Sequence, residues 1–257
     1  MAMMIIIKIA CSILVGFFAG PAAVFVFNRL PAKWLCDYGE TPSQELTDPN
    51  VKRIKENPWR WVYAVGFICL CIRLSLANLF SADLALTHLD PGQGIPPNLM
   101  IDPLSDLDCA QLALAGLITC WLLLIISLAD LKFQIIPDQF VILLALSAIG
   151  FIPFHPGGLY DPLIGLAIGG GSMLVLAGIG ALAKKEMIGF GDVKLCAALG
   201  LVLGTRGTIA VMILAILAAG IYAAAGLAAR KLKRDDHLPL GPFLCGSAMA
   251  YIFIAMW

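Results

Sequence analysis

The sequence predicts an all-α membrane protein with about eight transmembrane helices. Its 257 residues are 60% hydrophobic and 13% charged, with a mean hydropathy of +0.92, whereas soluble domains carry about one quarter charged residues. Apolar runs long enough to cross a bilayer, about 20 residues, recur between short polar segments. The formal net charge of zero argues against nucleic acid as a partner, and the apolar runs make membrane lipid the expected surroundings.

Eight apolar runs are the predicted spans. They cover approximately residues 3–27, 61–80, 109–129, 139–154, 162–183, 189–203, 208–228 and 240–257. The first run could be mistaken for a signal peptide, but its strongest positive charges, Arg29 and Lys33, follow the run instead of preceding it. We therefore expect this run to be an anchor whose N-terminus lies outside.

The positions of lysine and arginine favour this orientation. With the N-terminus outside, 14 of the 17 lysines and arginines fall in the inside segments 28–60, 130–138, 184–194 and 230–237, as the positive-inside rule requires. Arg73 is one of the exceptions and lies inside the second predicted span. It is either a structural arginine that snorkels or pairs with a carboxylate, or a substrate contact.

Two aspartates stand out because charged side chains at the edge of hydrocarbon are costly and usually functional. Asp192 follows two glycines in the glycine-aspartate stretch Glu186-Met187-Ile188-Gly189-Phe190-Gly191-Asp192-Val193-Lys194-Leu195, where the chain re-enters an apolar run. Asp130 ends the third predicted span. On the predicted topology both fall at the cytoplasmic boundary, so we expect them to share one site.

Two facing carboxylates favour aspartic proteolysis. They cannot both ionise easily and therefore share a proton, so that one activates a water molecule while the other protonates the substrate carbonyl. Intramembrane carboxylates also serve proton-coupled transporters, and a structural assembly partner is a third possibility. The topology alone does not separate these hypotheses.

The charged neighbours of this site can be interpreted as structural or as functional residues. Lys132 and Lys194 either pair structurally with the aspartates or orient a substrate. Asp138, which follows Pro137 ahead of an apolar run, is expected to be a helix N-cap. The eight cysteines form no Cys-x-x-Cys pair and the three histidines are scattered, so we predict buried apolar cysteines and no metal site.

These residues resemble a known family, the type IV prepilin peptidases, which are GxGD-type membrane aspartic proteases. The resemblance lies in the stretch 189–195, in Asp130 with Ile136-Pro137-Asp138, and in the segment 237–244 near the C-terminus. It implies that Asp130 and Asp192 are the catalytic pair and that Gly189 and Gly191 shape the site. It further implies cofactor-free removal of the short basic leader from prepilins or pseudopilins, at the cytoplasmic face of the bacterial inner membrane.

Many members of the family also methylate the new N-terminus with S-adenosylmethionine. Their N-terminal region carries two Cys-x-x-Cys pairs, whereas the corresponding loop here retains only Cys36. The resemblance therefore leaves methylation open. It divides the chain into residues 1–60, a span with a reduced methyltransferase-like loop, residues 61–108, a span with an outside loop, and residues 109–257, a six-helix peptidase core.

Overall fold

The protein is helical, as the sequence predicts. A computed structural model describes residues 2–36, 53–54, 58–75, 106–182, 189–231 and 238–254, and no strand occurs in these ranges. The predicted loops at 38–50 and 81–105 lie outside the described residues, as do Glu186 to Ile188 of the glycine-aspartate stretch and His237. Seven α-helices are described, namely α1 Ala2–Arg29, α2 Trp59–Ser75, α3 Asp106–Phe133, α4 Asp138–Ser147, α5 Tyr160–Leu182, α6 Phe190–Ala228 and α7 Gly241–Ile254.

Four of the described helices are long and apolar enough to cross a membrane, by length and composition. These segments are Ile9–Arg29, Ala110–Phe133, Tyr160–Leu182 and Phe190–Ala228. The fourth and eighth predicted spans are shorter apolar helices, Asp138–Gly150 and Gly241–Ile254. The predicted total of eight spans and the outside N-terminus therefore stay predictions.

A ring of four helices surrounds the principal core. Helices α4 and α7 each pack against both α3 and α6, so that they bridge these two longer helices. The side chains that fill the ring are fully buried and almost all aliphatic, and they include Leu123, Ile125 and Ile126 of α3, Leu144 of α4, Leu195 and Leu199 of α6, and Leu244 of α7. This packing fixes the ends of α3 and α6 relative to each other.

Large apolar side chains are exposed along α5 and the second half of α6. They include Leu163, Leu174, Val175, Ile179, Ile213, Leu217 and Ile221. A soluble protein rarely exposes a contiguous apolar surface of this kind, and a bilayer would cover it.

Helix α5 packs tightly against α6 through glycines. A Cβ atom on Gly165 would lie 2.8 Å from the carbonyl carbon of Gly204, and one on Gly169 would lie 3.0 Å from that of Cys196. Small residues let helix backbones approach closely in membranes, where dispersion and hydrogen bonds drive association. The backbone contact sets the position of α6 against α5.

Helix α6 is broken at Gly204, where the sequence predicts a turn between two spans. Gly204 has φ 65° and ψ −173°, a conformation that is open essentially to glycine alone, and it divides α6 into residues 190–203 and 205–228. Asp161 of α5 accepts a hydrogen bond from the Thr205 N–H at 3.2 Å and lies 3.2 Å from Nδ1 of His155. This polar cluster holds the break at the end of the bundle opposite to Asp130.

Replacing Gly204 by alanine is expected to destabilise the protein by about 2–6 kcal/mol, because the strained backbone and the overpacking each cost about 1–3 kcal/mol. The added Cβ would lie 2.8 Å from His155 Nδ1 and would collide with the Asp161 carboxylate. Thermal unfolding in detergent measures the effect. Gly220→Ala in the same helix is the matched control, since nothing lies within 4 Å of that position, and equal melting temperatures for both variants would contradict the packing described.

Candidate active site

Asp130 lies in the last turn of α3 and is only 6% exposed. The helix ends there because Gln134 adopts φ 54° and donates its backbone N–H to the Asp130 carbonyl at 2.9 Å. A residue in this left-handed conformation commonly ends a helix and turns the chain. The turn brings Ile136 and Pro137 back beside the end of α3, so that α4 starts near Asp130.

Asp192 lies in the first turn of α6, which begins with Gly189 at the N-cap position. The Asp192 N–H donates to the Gly189 carbonyl at 3.1 Å, and Oδ2 of Asp192 lies 3.6 Å from the position that a Cβ atom on Gly189 would take. A negative charge is favourable in the first turn of a helix. The carboxylate of Asp192 therefore lies at the favourable end of the helix that carries it.

Asp130 and Asp192 lie at the same end of the four-helix ring. The Asp192 carboxylate acts electrostatically on Asp130, and both aspartates act on Cys245, a buried residue of α7. Asp130 arrives from the end of α3 and Asp192 from the start of α6. The structure thus brings together the two residues that the sequence analysis placed in one site.

Gly191 and Gly189 have different surroundings at this site. A Cβ atom on Gly191 would lie 3.2 Å from Cβ of Ile136, so Gly191 lets the chain's own segment between α3 and α4 lie against α6. Gly189 is exposed, and a Cβ there would meet only Oδ2 of Asp192, at 3.6 Å. Ile136 of the chain itself therefore occupies the space beside Gly191, whereas Gly189 leaves room beside Asp192.

The two lysines near the site bond to other groups. Lys194 Nζ lies 2.8 Å from both carboxylate oxygens of Asp138, and Lys132 Nζ donates to the Arg53 carbonyl. The interpretation of Asp138 as an N-cap is wrong, because Pro137 occupies that position and Asp138 begins the helix. Its carboxylate pairs with Lys194 instead and thereby joins the start of α4 to α6.

Sequence reasoning missed one contributor to the site, the backbone of Gly241. This residue begins α7, and a Cβ atom on it would lie 3.0 Å from Cγ of Asp130. The segment was noticed as a motif, but no role was assigned to its glycine. The Gly-Pro pair at a helix start is the signal that could have indicated a close approach.

The carboxylate pair defines what this site can do chemically. Two neighbouring carboxyl groups share a proton, so one can accept a proton from water while the other donates to a carbonyl oxygen. No group of three or more His, Cys, Asp or Glu that could hold a metal ion occurs in the described ranges. The residues present fit acid–base chemistry by the aspartates themselves.

Several known proteins are similar to this chain. The family model described as "Type IV leader peptidase family" matches residues 117–224, which include both aspartates. A "Prepilin leader peptidase/N-methyltransferase" of Bacillus subtilis (strain 168) is 32% identical over 138 residues, which are 51% of this chain and 52% of that protein. The "Leader peptidase HopD" of Escherichia coli is 34% identical over 136 residues, covering 52% of this chain and 85% of that protein.

The fold and the site define a helical membrane protein with a carboxylate pair at one end of its bundle. The chain belongs to the type IV leader peptidase family, and the resemblance drawn from the sequence is confirmed. The chain spans about half the length of the prepilin leader peptidase/N-methyltransferases that it matches, including that of Aeromonas salmonicida (strain A449), of which it covers 46% at 33% identity. No solved structure matches the chain significantly.

Breaking the Lys194–Asp138 pair is expected to lower stability, with a coupling energy of about 0.5–1 kcal/mol between Lys194→Met and Asp138→Asn, because both side chains are partly exposed. A double-mutant cycle on thermal unfolding measures this coupling. The control is Lys132→Met, whose effect should add to that of Asp138→Asn because Lys132 bonds to Arg53. Additive effects for Lys194 would contradict a structural pair and favour a substrate-orienting lysine.

Proposed function

We propose that this chain is a membrane aspartic endopeptidase that removes the short basic leader from type IV prepilins or pseudopilins. In this proposal Asp130 and Asp192 are the catalytic residues. One carboxylate activates a water molecule, which attacks the carbonyl carbon of the scissile peptide, and the other protonates the carbonyl oxygen. The tetrahedral intermediate collapses when the amide nitrogen is protonated and leaves. The reaction uses no cofactor.

The proposal rests mainly on the placement of Asp130 and Asp192 at the same end of the bundle. They come from helices that are far apart in sequence, and both lie in the segment that the family model matches. A buried carboxylate that is not part of a structural ion pair is costly. Lys194 is the nearest cation in sequence to Asp192, but it bonds to Asp138 instead. Asp130 and Asp192 are therefore available for proton transfer.

We further propose eight spans with the N-terminus outside, in the bacterial inner membrane. This topology places Asp130 and Asp192 at the cytoplasmic boundary, where a prepilin leader would be presented ahead of its hydrophobic segment. The lysines and arginines of the inside segments support it. The same topology assigns the peptidase core to residues 109–257, with residues 61–108 supplying a span and an outside loop.

The N-terminal region leaves a second activity to be measured. Residues 1–60 correspond to the region that methylates the new N-terminus in bifunctional members, and such activity here would require S-adenosylmethionine. The relatives with the combined name that are described above are covered over about half of their length. The relative that is covered over 85% of its length is named only as a leader peptidase, which supports proposing peptidase activity first.

A proton-coupled transporter that uses the same aspartates is the weaker hypothesis. Family membership favours the peptidase, because the similar proteins are named for leader cleavage. The two hypotheses differ in an observable way. A peptidase shortens a prepilin, whereas a transporter leaves its mass unchanged.

The decisive experiment co-expresses the chain with candidate prepilins and measures the N-terminal mass of the pilin. Asp130→Asn and Asp192→Asn preserve side-chain shape but remove the carboxylate, and each is expected to reduce cleavage by at least about 10²–10⁴-fold. The same spectrum reports methylation as the added mass of one methyl group.

Asp161→Asn is the matched control for these variants. Asp161 is also a partly buried aspartate of the bundle, but it lies with His155 and Thr205 at the opposite end. Asparagine retains the oxygen that accepts the Thr205 N–H, so this variant should cleave normally. Full processing by Asp130→Asn or Asp192→Asn would show that the dyad is not catalytic.

A further inference from the structure

The backbone N–H of Gly241, at the start of α7, has no acceptor within its own helix. Phe243 and Leu244 both donate to the Leu240 carbonyl at 3.1 Å, so the first turn begins at Gly241. The first N–H groups of a helix lack partners within the helix and need acceptors elsewhere. Pro242 has no N–H, and the side chain of Leu240 has no acceptor. Gly241 therefore presents a donor that the helix itself does not satisfy.

Gly241 lies directly against the Asp130 carboxylate. Oδ2 of Asp130 is buried and has no hydrogen-bond partner among the described residues. The contact is too close for any side chain at position 241. A Cβ atom there would lie 3.0 Å from Cγ and 3.3 Å from Cβ of Asp130, and it would collide with Oδ2.

Each aspartate of the pair is therefore in contact with the N-terminus of a helix. Asp192 lies in the first turn of α6, which carries it, whereas Asp130 lies at the C-terminal end of α3 and against Gly241 at the start of α7. The C-terminus of a helix disfavours a negative charge, and an N-terminus, with about half a unit of positive charge, favours one. The N-terminus of α7 thus offsets the unfavourable effect of the α3 C-terminus on the negative charge of Asp130.

We propose that Gly241 is a positioning residue that holds the Asp130 carboxylate in its working orientation toward Asp192. The proposal rests on the proposed function of the aspartate pair. The missing side chain of Gly241 lets the N-terminus of α7 lie against the carboxylate, and a helix N-terminus favours the negative charge there. An alanine at position 241 would displace either Asp130 or the end of α7, and both changes would misplace the reacting groups.

Gly241→Ala is expected to lower kcat for cleavage of a prepilin by about 10–100-fold, since a misplacement of about 1 Å can cost this much. KM should change by less than about twofold, because the change acts on Asp130 and leaves substrate binding intact. The matched control is Gly246→Ala in the same helix, where nothing lies within 4 Å. It should cleave like the wild type.

A second measurement tests the contact without using activity. Gly241→Ala should lower the melting temperature by about 2–8 °C in the wild-type background, which corresponds to moderate overpacking. In an Asp130→Ala background the carboxyl group that collides with the new Cβ is absent, so the same substitution should lower the melting temperature by less than half as much. Gly246→Ala should give the same small shift in both backgrounds.

The two measurements give distinguishable outcomes. Coupled melting temperatures together with the loss in kcat support the proposal. Equal shifts in both backgrounds overturn it, because the Asp130 side chain would then not meet position 241, and a normal kcat in Gly241→Ala overturns the positioning role. If the wild type cleaves no prepilin, the proposed function fails, while the melting-temperature cycle still decides whether Gly241 holds Asp130.

Discussion

The Asp130 and Asp192 carboxylates interact at one end of an apolar bundle, and this interaction disfavours a negative charge on both. A shared proton removes most of this cost. The N-termini of α6 and α7, which lie beside Asp192 and Asp130, favour negative charge and offset part of the repulsion. The site is thus a balance between repulsion and two helix N-termini, and the helices that carry them have to be held firmly.

The rest of the bundle provides that rigidity. Helices α4 and α7 bridge α3 and α6, and the Lys194–Asp138 pair joins the start of α4 to the start of α6. At the opposite end, Asp161 and Thr205 fix the break at Gly204, which sets where residues 190–203 end. The N-terminal region is tied in as well, because the backbone of Ile54 bonds to the Asn28 side chain and Lys132 donates to Arg53. The helix that carries Asp130 therefore also contacts the first part of the chain.

Much of the site could be predicted because its signals are local. A carboxylate beside glycines at the edge of an apolar run is conspicuous in Asp192, and the alternation of spans puts Asp130 at the same end. The pairing of Lys194 could not be predicted, because its partner Asp138 lies 56 residues away in the sequence and Asp130 and Asp192 were equally available to it. The N-cap interpretation of Asp138 failed because Pro137 occupies the N-cap position and Asp138 begins the helix. The carboxylate of Asp138 forms a long-range ion pair with Lys194.

The sequence by itself determined that the protein is helical, and it predicted that Asp130 and Asp192 share one site. Long apolar runs have to satisfy their backbone hydrogen bonds internally in a bilayer, and helices do so within each segment. Only the tertiary structure decided what holds the carboxylates. The approach of Gly241 to Asp130, the contact of Gly191 with Ile136 and the collision that reserves Gly204 for glycine all depend on distances between separate elements. Packing sets such distances, and no local pattern encodes them.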